Sequence, residues 1–171
     1  PYKEKALKYL DYRDPCVDRV GAVNTIIVGN TGEMIGQNTD GIGFLKNLQT
    51  QLPHWSPKQC KVTIIGACGA ARSVIDTLIQ ANVFSIRLVN RTISRAKLVA
   101  RIMDGPIEVV PWSALEEAIQ DTDLLVNTTK LGMTGQPDLN ICLKKLSSNA
   151  IVTDLVYSPI MTPLLKKAKS M

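Results

Sequence analysis

The stretch KVTIIGACGAARSVIDTLIQAN, Lys61 to Asn82, decides the fold. It opens as KVTIIG, a short apolar and β-branched run of the kind found in a strand buried on both faces. It breaks at Gly66, passes through small residues, and continues as AARSVIDTLIQAN with apolar residues at helical spacing. A strand that turns sharply into a helix is the opening unit of a parallel α/β sheet. Small residues let a backbone approach such a turn closely. The unpaired N–H groups of the helix start then face the approaching group, an arrangement that suits a dinucleotide pyrophosphate. The usual pattern is Gly-x-Gly-x-x-Gly or Ala. Gly66 and Ala71 fit its first and last positions, Cys68 replaces the middle glycine, and Gly69 follows one residue later. A tight turn without a ligand stays open as the alternative on this motif alone.

Downstream the rhythm repeats. SIRLVN (85–90), IEVVP (107–111), DLLVNTT (123–129) and AIVTDLVY (150–157) read as strands, and SRAKLVARIM (94–103), SALEEAIQ (113–120) and a short ICLKKL (141–146) as helices. TPLLKKAKSM begins a last helix. Alternation of this kind predicts right-handed crossovers and a Rossmann-like, doubly wound parallel sheet. Five strands are predicted where the six-stranded dinucleotide arrangement has one more, so the last strand and helices are expected to be missing.

Upstream, EKALKYL (4–10) predicts a short helix and VNTIIVG (23–29) a strand. Asn30 to Gly32 reads as a turn and Glu33 to Gln37 as the return strand of a hairpin. GFLKNLQTQL (43–52) predicts an amphipathic helix, and PHWSPKQ (53–59), with two prolines, is the best boundary in the chain. The division expected is 1–45, a remnant of a smaller α/β domain; 46–59, a helix end and linker; and 60–171, the dinucleotide domain.

The end of the second strand of that domain narrows the cofactor. An acid there would accept from ribose hydroxyls, but the sequence is NRTISRAK, with Asn90, Arg91, Thr92 and Arg95. Two guanidiniums four residues apart suit a 2′-phosphate rather than a bare ribose diol, which favours NADP over NAD. Two solvated arginines are the alternative.

A second stretch raises its own question. In MIGQNTDGIG, Met34 to Gly43, one carboxylate, Asp40, follows Asn38 and Thr39 and precedes Gly41 and Gly43. It reads equally as a helix N-cap or as a carboxylate held in a cleft.

Composition excludes other classes. The 171 residues carry a net charge of +5. Basic groups are local, at Lys144-Lys145 and Lys166-Lys167-Lys169, without interleaved aromatics, so no nucleic-acid partner is expected. No apolar run is long enough to cross a bilayer, and none follows a charged start as an export signal does. Cys16, Cys60, Cys68 and Cys142 form no Cys-x-x-Cys, and the lone His54 lies between Pro53 and Trp55, so no metal is expected. Reduced thiols and a cytoplasmic location follow. The start at Pro1 rather than Met leads to the expectation of a piece of a longer chain.

Together, GAVNTI (21–26), GQNTDGIG (36–43), GACGAARS (66–73), NRTISRA (90–96), VNTTKLGM (126–133) and DLVYSPIMTPLL (154–165) resemble the shikimate dehydrogenase family, in the family's order and over nearly the whole chain. The resemblance implies NADP-dependent reversible reduction of 3-dehydroshikimate to shikimate, and a substrate-binding role for 1–45. It sets Lys3 on the family's catalytic lysine, with Asp40 as its partner and Asn24 holding substrate hydroxyls. It sets Tyr157 beside the substrate, with a core tyrosine as the alternative. Gly66, Ala67, Cys68, Gly69, Ala70, Asn90, Arg91, Thr92 and Arg95 take the cofactor positions, bordered by Thr129 and Leu155. Lys130 departs from many members and points to the quinate/shikimate branch, in which NAD is possible. The family's serine pair for the substrate carboxylate and its late glutamine fall outside 1–171. A monomer or homodimer is implied. Reducing a ketone leaves growing negative charge on its oxygen, which a Lys ammonium can neutralise by giving up a proton while a carboxylate orients it. A non-catalytic NADP-binding module is the rival of a different class.

Overall fold

The computed structural model describes residues 2–171, so Pro1, the first residue of the 1–45 segment, lies outside the described residues. The fold is mixed α/β with two sheets. In the first, β1 (Tyr12–Arg13) runs parallel to β3 (Met34–Gln37), and β2 (Thr25–Val28) pairs antiparallel with β3. The predicted hairpin is therefore present, with Ile26 opposite Gly36 and Val28 opposite Met34. Helix α1 (Pro15–Val20) has a well-made start. Asp14 accepts from the Cys16 and Val17 amides, Pro15 holds the first turn, and Gly21 closes the helix at φ +63°.

The second sheet is parallel throughout. It contains β4 (Lys61–Ile65), β5 (Ser85–Asn90), β6 (Ile107–Pro111), β7 (Leu124–Asn127) and β8 (Ile151–Asp154), ordered β6-β5-β4-β7-β8. Order reverses at β4, so the crevice beyond the carboxyl ends of β4 and β7 is the topological switch point, where such sheets bind ligands. Helices α3 (Gly69–Gln80), α4 (Ile93–Met103), the short α5 (Leu115–Ala118) and α6 (Pro163–Lys169) flank it.

Both faces of this sheet are buried. Val62 and Ile64 pack with Val74, Leu78, Leu88 and Val126 on one side; Ile65 packs with Ile119, Leu125, Ile141 and Leu164 on the other. Thr63 is fully buried among them because its hydroxyl is bonded to Ala118 O and the Thr122 hydroxyl at 3.0 and 2.7 Å.

Four expectations are corrected. The helix predicted over 43–52 is α2, Asp40–Gln51, and starts three residues earlier. Gly41 lies inside the helix because it serves close packing: an added Cβ would stand 2.3 Å from Ser73 O and 2.1 Å from Thr77 Oγ1 on α3. The segment 113–120 is a 3₁₀ turn (Trp112–Ala114) followed by the single turn of α5. Residues 141–146 form no helix. There Ile141, Leu143 and Leu146 are buried, and part of the backbone is bonded from outside: the Cys142 amide donates to Glu116 and Ile141 O accepts from Lys167 Nζ, while the Leu146 amide donates to Leu143 O. The 4–10 segment is a 3₁₀ helix, Lys5–Tyr9. Among the described residues, no helix is long and apolar enough to cross a membrane.

Candidate active site

The first cluster is built on the start of α2. Lys3 Nζ donates to Asp40 Oδ2, and Asn24 Nδ2 donates to Asp40 Oδ1 at 2.6 Å. Asn24 is itself fixed: its Oδ1 accepts from the Thr39 amide at 3.1 Å, and its Nδ2 also reaches Thr39 Oγ1 at 3.2 Å. Lys3, Asn24 and Asp40, separated by 37 residues at the extremes, thus converge. The carboxylate is mostly covered, with 26% of its side chain exposed against 43% for Lys3. Asp40 is not the helix cap. It occupies the first helical position, Thr39 stands in the capping position, and both carboxylate oxygens are committed away from the helix, to Lys3 and Asn24.

The second feature is a cleft of about 720 Å³ at the switch point. Gly66, Ala67 and Cys68 form one wall, Asn90, Arg91 and Arg95 another, and Thr128 to Leu131 a third. Gly66 has φ +112°, and a Cβ there would lie 2.4 Å from Thr128 Oγ1, so only glycine fits. Cys68 has an ordinary extended backbone (φ −97°, ψ −176°), which explains why the middle position of the turn tolerates a side chain. Its thiol contacts Thr128 O at 3.3 Å, and no side chain caps the amides of α3, which begin at Gly69 and Ala70 beside the cleft. Thr129 is held by Asn127 Oδ1, which accepts from its amide and hydroxyl at 3.0 and 2.7 Å. Asn127, fully buried, is anchored in turn to Asp154 Oδ1 at 3.0 Å.

The remaining sequence candidates are more dispersed. Thr92 stands at the N-cap position of α4, and its carbonyl accepts from Asn90 Nδ2 at 2.8 Å. Leu155 packs against the core rather than lining the cleft. Tyr157 is 81% exposed, which removes the core-tyrosine alternative. Trp112, Lys130, Leu131, Gln136, Pro137, Asp138 and Asn140 line the cleft without having been singled out as site residues. For those from Lys130 to Asn140 the sequence signal is a stretch after β7 with Gly132, Gly135 and Pro137 and no periodicity, at the carboxyl end of a buried strand; Trp112, just after β6, carries no such signal.

Two thiols are held protonated by their surroundings. Cys60 is pushed up to about 11, first by burial and then by Asp123. Cys16 is also pushed up to about 11, first by burial and then by Asp76, which accepts its hydrogen bond.

Comparison with known proteins adds the following. A family profile described as shikimate / quinate 5-dehydrogenase matches residues 47–156. The shikimate dehydrogenase (NADP(+)) of Paramagnetospirillum magneticum is 44% identical over 168 residues, covering 98% of this chain and 61% of that protein. Among solved structures, quinate dehydrogenase from Corynebacterium glutamicum in complex with NAD superposes with TM-score 0.91 at 31% identity, over 99% of this chain and 61% of that one. Shikimate 5-dehydrogenase from Thermus thermophilus in complex with NADP(H) and shikimate superposes with TM-score 0.85 at 33% identity, with coverage again of 99% and 61%. The chain therefore spans about three fifths of the length of the relatives it matches.

Proposed function

This chain belongs to the shikimate / quinate 5-dehydrogenase family, and from that premise we propose that its parent protein catalyses the NADP-dependent, reversible reduction of 3-dehydroshikimate to shikimate, a step toward aromatic amino acids. The observation that carries the reading is the convergence of Lys3, Asn24 and Asp40. An ammonium fixed by a carboxylate, beside an amide that offers both donor and acceptor, is what a hydroxylated ketone requires.

The cleft fits a phosphorylated dinucleotide. Gly66 leaves room that a Cβ would fill, the amides of α3, uncapped by a side chain among the described residues, suit an anion, and Arg91 and Arg95 supply positive charge without an acid at the end of β5. Gly66, Ala67, Cys68, Gly69 and Ala70 would hold the pyrophosphate, Asn90, Arg91, Thr92 and Arg95 the adenosine ribose and its 2′-phosphate, with Thr129 and Leu155 bordering the remainder. When bound, NADPH supplies the hydride. Lys3 donates its proton to the carbonyl oxygen as charge grows there. Asp40 orients that ammonium and accepts from a neighbouring substrate hydroxyl. Asn24 fixes the hydroxyls, so an analogue lacking one leaves a polar group unpaired. Tyr157, exposed in the segment after β8, contacts the substrate.

The same reading divides the chain into a substrate-lobe remnant over 1–45, a connection over 46–59 and the NADP domain over 60–171. It gives the parent small-molecule partners only, as a cytoplasmic monomer or homodimer. A second reading, quinate with NAD, draws on Lys130 lining the cleft and on the NAD-bound quinate dehydrogenase that superposes on the chain. Steady-state rates of the full-length parent with shikimate and quinate, each paired with NADP and NAD, test both. The shikimate–NADP pair is expected to have the highest kcat/KM. A quinate–NAD maximum would install the second reading, and turnover of neither acid would end both.

A further inference from the structure

Helix α3 does more than present its first turn to the cleft. One face of it docks along the segment that carries the Lys3–Asp40 pair. Ser73, fully buried, shares its hydroxyl proton between Asn38 Oδ1 at 3.2 Å and Gly69 O, within its own helix, at 3.1 Å, and the same Asn38 oxygen accepts from the Asp40 amide at 3.1 Å. Asn38 is itself pinned, because its Nδ2 donates to Ala22 O at 2.9 Å. One residue before Ser73, Arg72 Nη2 donates to Glu4 Oε1. Glu4 adjoins Lys3, whose carbonyl accepts from the Val23 amide at 2.9 Å. The Arg72 side chain is only 15% exposed and, among the described residues, its Nε is buried without a partner, whereas Glu4 is 65% exposed. The guanidinium is therefore built in and the glutamate is drawn to it.

We propose that Arg72 and Ser73 are positioning residues for the Lys3–Asp40 pair, Arg72 acting through Glu4 on Lys3 and Ser73 acting through Asn38 on Asp40. This rests on the dehydrogenase reading for its catalytic meaning but not for its geometry. An ion pair whose carboxylate stays largely in water contributes little to stability. Its effect here is to choose where the residue beside Lys3 sits. A proton donor displaced by about 1 Å loses on the order of 100-fold in rate. Because both contacts leave from the first turns of the helix that opens the cleft, the donor and the nicotinamide site share one rigid reference.

The test uses the full-length parent with Arg72→Ala, Ser73→Ala, Arg72→Glu and the swapped pair Glu4→Arg/Arg72→Glu. Arg72→Ala and Ser73→Ala are each expected to lower kcat by about 10- to 100-fold, with NADP Kd within about twofold of the unaltered protein and the pH profile of kcat displaced. The swapped pair is expected to recover most of what Arg72→Glu loses. Hydrogen exchange without cofactor gives an independent readout: Arg72→Ala should speed exchange at the Val23 amide, and Ser73→Ala at the Asp40 amide. Unchanged kcat together with unchanged exchange at both amides would overturn the proposal. So would a fall in NADP affinity equal to the fall in kcat, since the residues would then serve the cofactor. If the unaltered parent turns over neither acid, the dehydrogenase reading fails, and the two amides still decide the positioning role.

Discussion

At Asp40, two donors divide the carboxylate, Lys3 on Oδ2 and Asn24 on Oδ1. Lys3, Asn24 and Asp40 do not line the cleft under Gly66, so the proposed acid–base group and the proposed cofactor grip should be separable by mutation. Lys3→Ala in the parent is expected to lower kcat by on the order of 10²- to 10⁴-fold and to leave NADP affinity within about twofold, as read by steady-state kinetics and a fluorescence titration. Parallel losses of both would make the lysine structural. On the other wall, Arg91→Ala is expected to weaken NADP about tenfold or more, the scale of one hydrogen bond between charged groups, with NAD hardly altered. An unchanged preference between the two cofactors would remove Arg91 from the phosphate grip. Cys60 makes a different prediction. Its thiol ionises near 9.0 when unperturbed and at about 11 in the fold. A folded value raised in this way gives stability that is complete below the unfolded value and is lost as pH rises through the folded one. The unfolding free-energy difference between the native protein and Cys60→Ala is therefore expected to shrink between pH 9.0 and about 11. Denaturant titrations across that window would show a constant difference if burial of this thiol carried no linkage.

At the scale of elements, α3 is where the two sheets meet. Asp76, with 6% of its side chain exposed, accepts from Arg19 Nε and Nη2 at 2.6 and 3.1 Å and so ties α1 to α3. Arg19 is held more firmly protonated by that bond. Removing the arginine strands a buried carboxylate, whereas removing both partners does not. Arg19→Ala is thus expected to cost about 2–3 kcal/mol, a value discounted because the guanidinium is partly exposed. The double variant Arg19→Ala/Asp76→Ala should be more stable than the single one. Urea midpoints in the reverse order would show that the pair is not the tie between these helices. Elements with a strong local signal were legible in the sequence: β4, β5 and β7 as continuous apolar strands, and α3 and α4 by period. The start of α2 was not, because Gly41 has the sequence signature of a turn while its actual constraint is the backbone of α3, far along the chain. The loop after β7 was not, because it has no periodic ladder of its own: isolated turns bond part of its backbone, and Glu116 and Lys167, distant in sequence, bond the Cys142 amide and the Ile141 carbonyl. Nor does any local pattern bring Lys3 to Asp40; only the family resemblance linked them, since their meeting depends on tertiary packing.

For the molecule as a whole, the question is whether the small sheet and the large one unfold together. Leu48 on α2 belongs to the same buried cluster as Val62 and Ile64 of β4, and α1 and α2 both pack on α3. That continuity predicts a single cooperative transition. A ligand held only by the cleft should then protect every residue, including those of the hairpin. At NADP about 100-fold above its Kd, mass action adds about 2.7 kcal/mol to stability. For a domain of this size, that corresponds to a rise in Tm of roughly 5–10 °C, with NAD at the same concentration giving less. Scanning calorimetry of the chain with and without each cofactor measures this directly. One transition that moves as a unit is the expected result. Two transitions, with only the later one displaced by NADP, would mean that β1–β3 fold independently of the cleft. No displacement at any NADP concentration would mean that Gly66, Arg91 and Arg95 do not form a dinucleotide site.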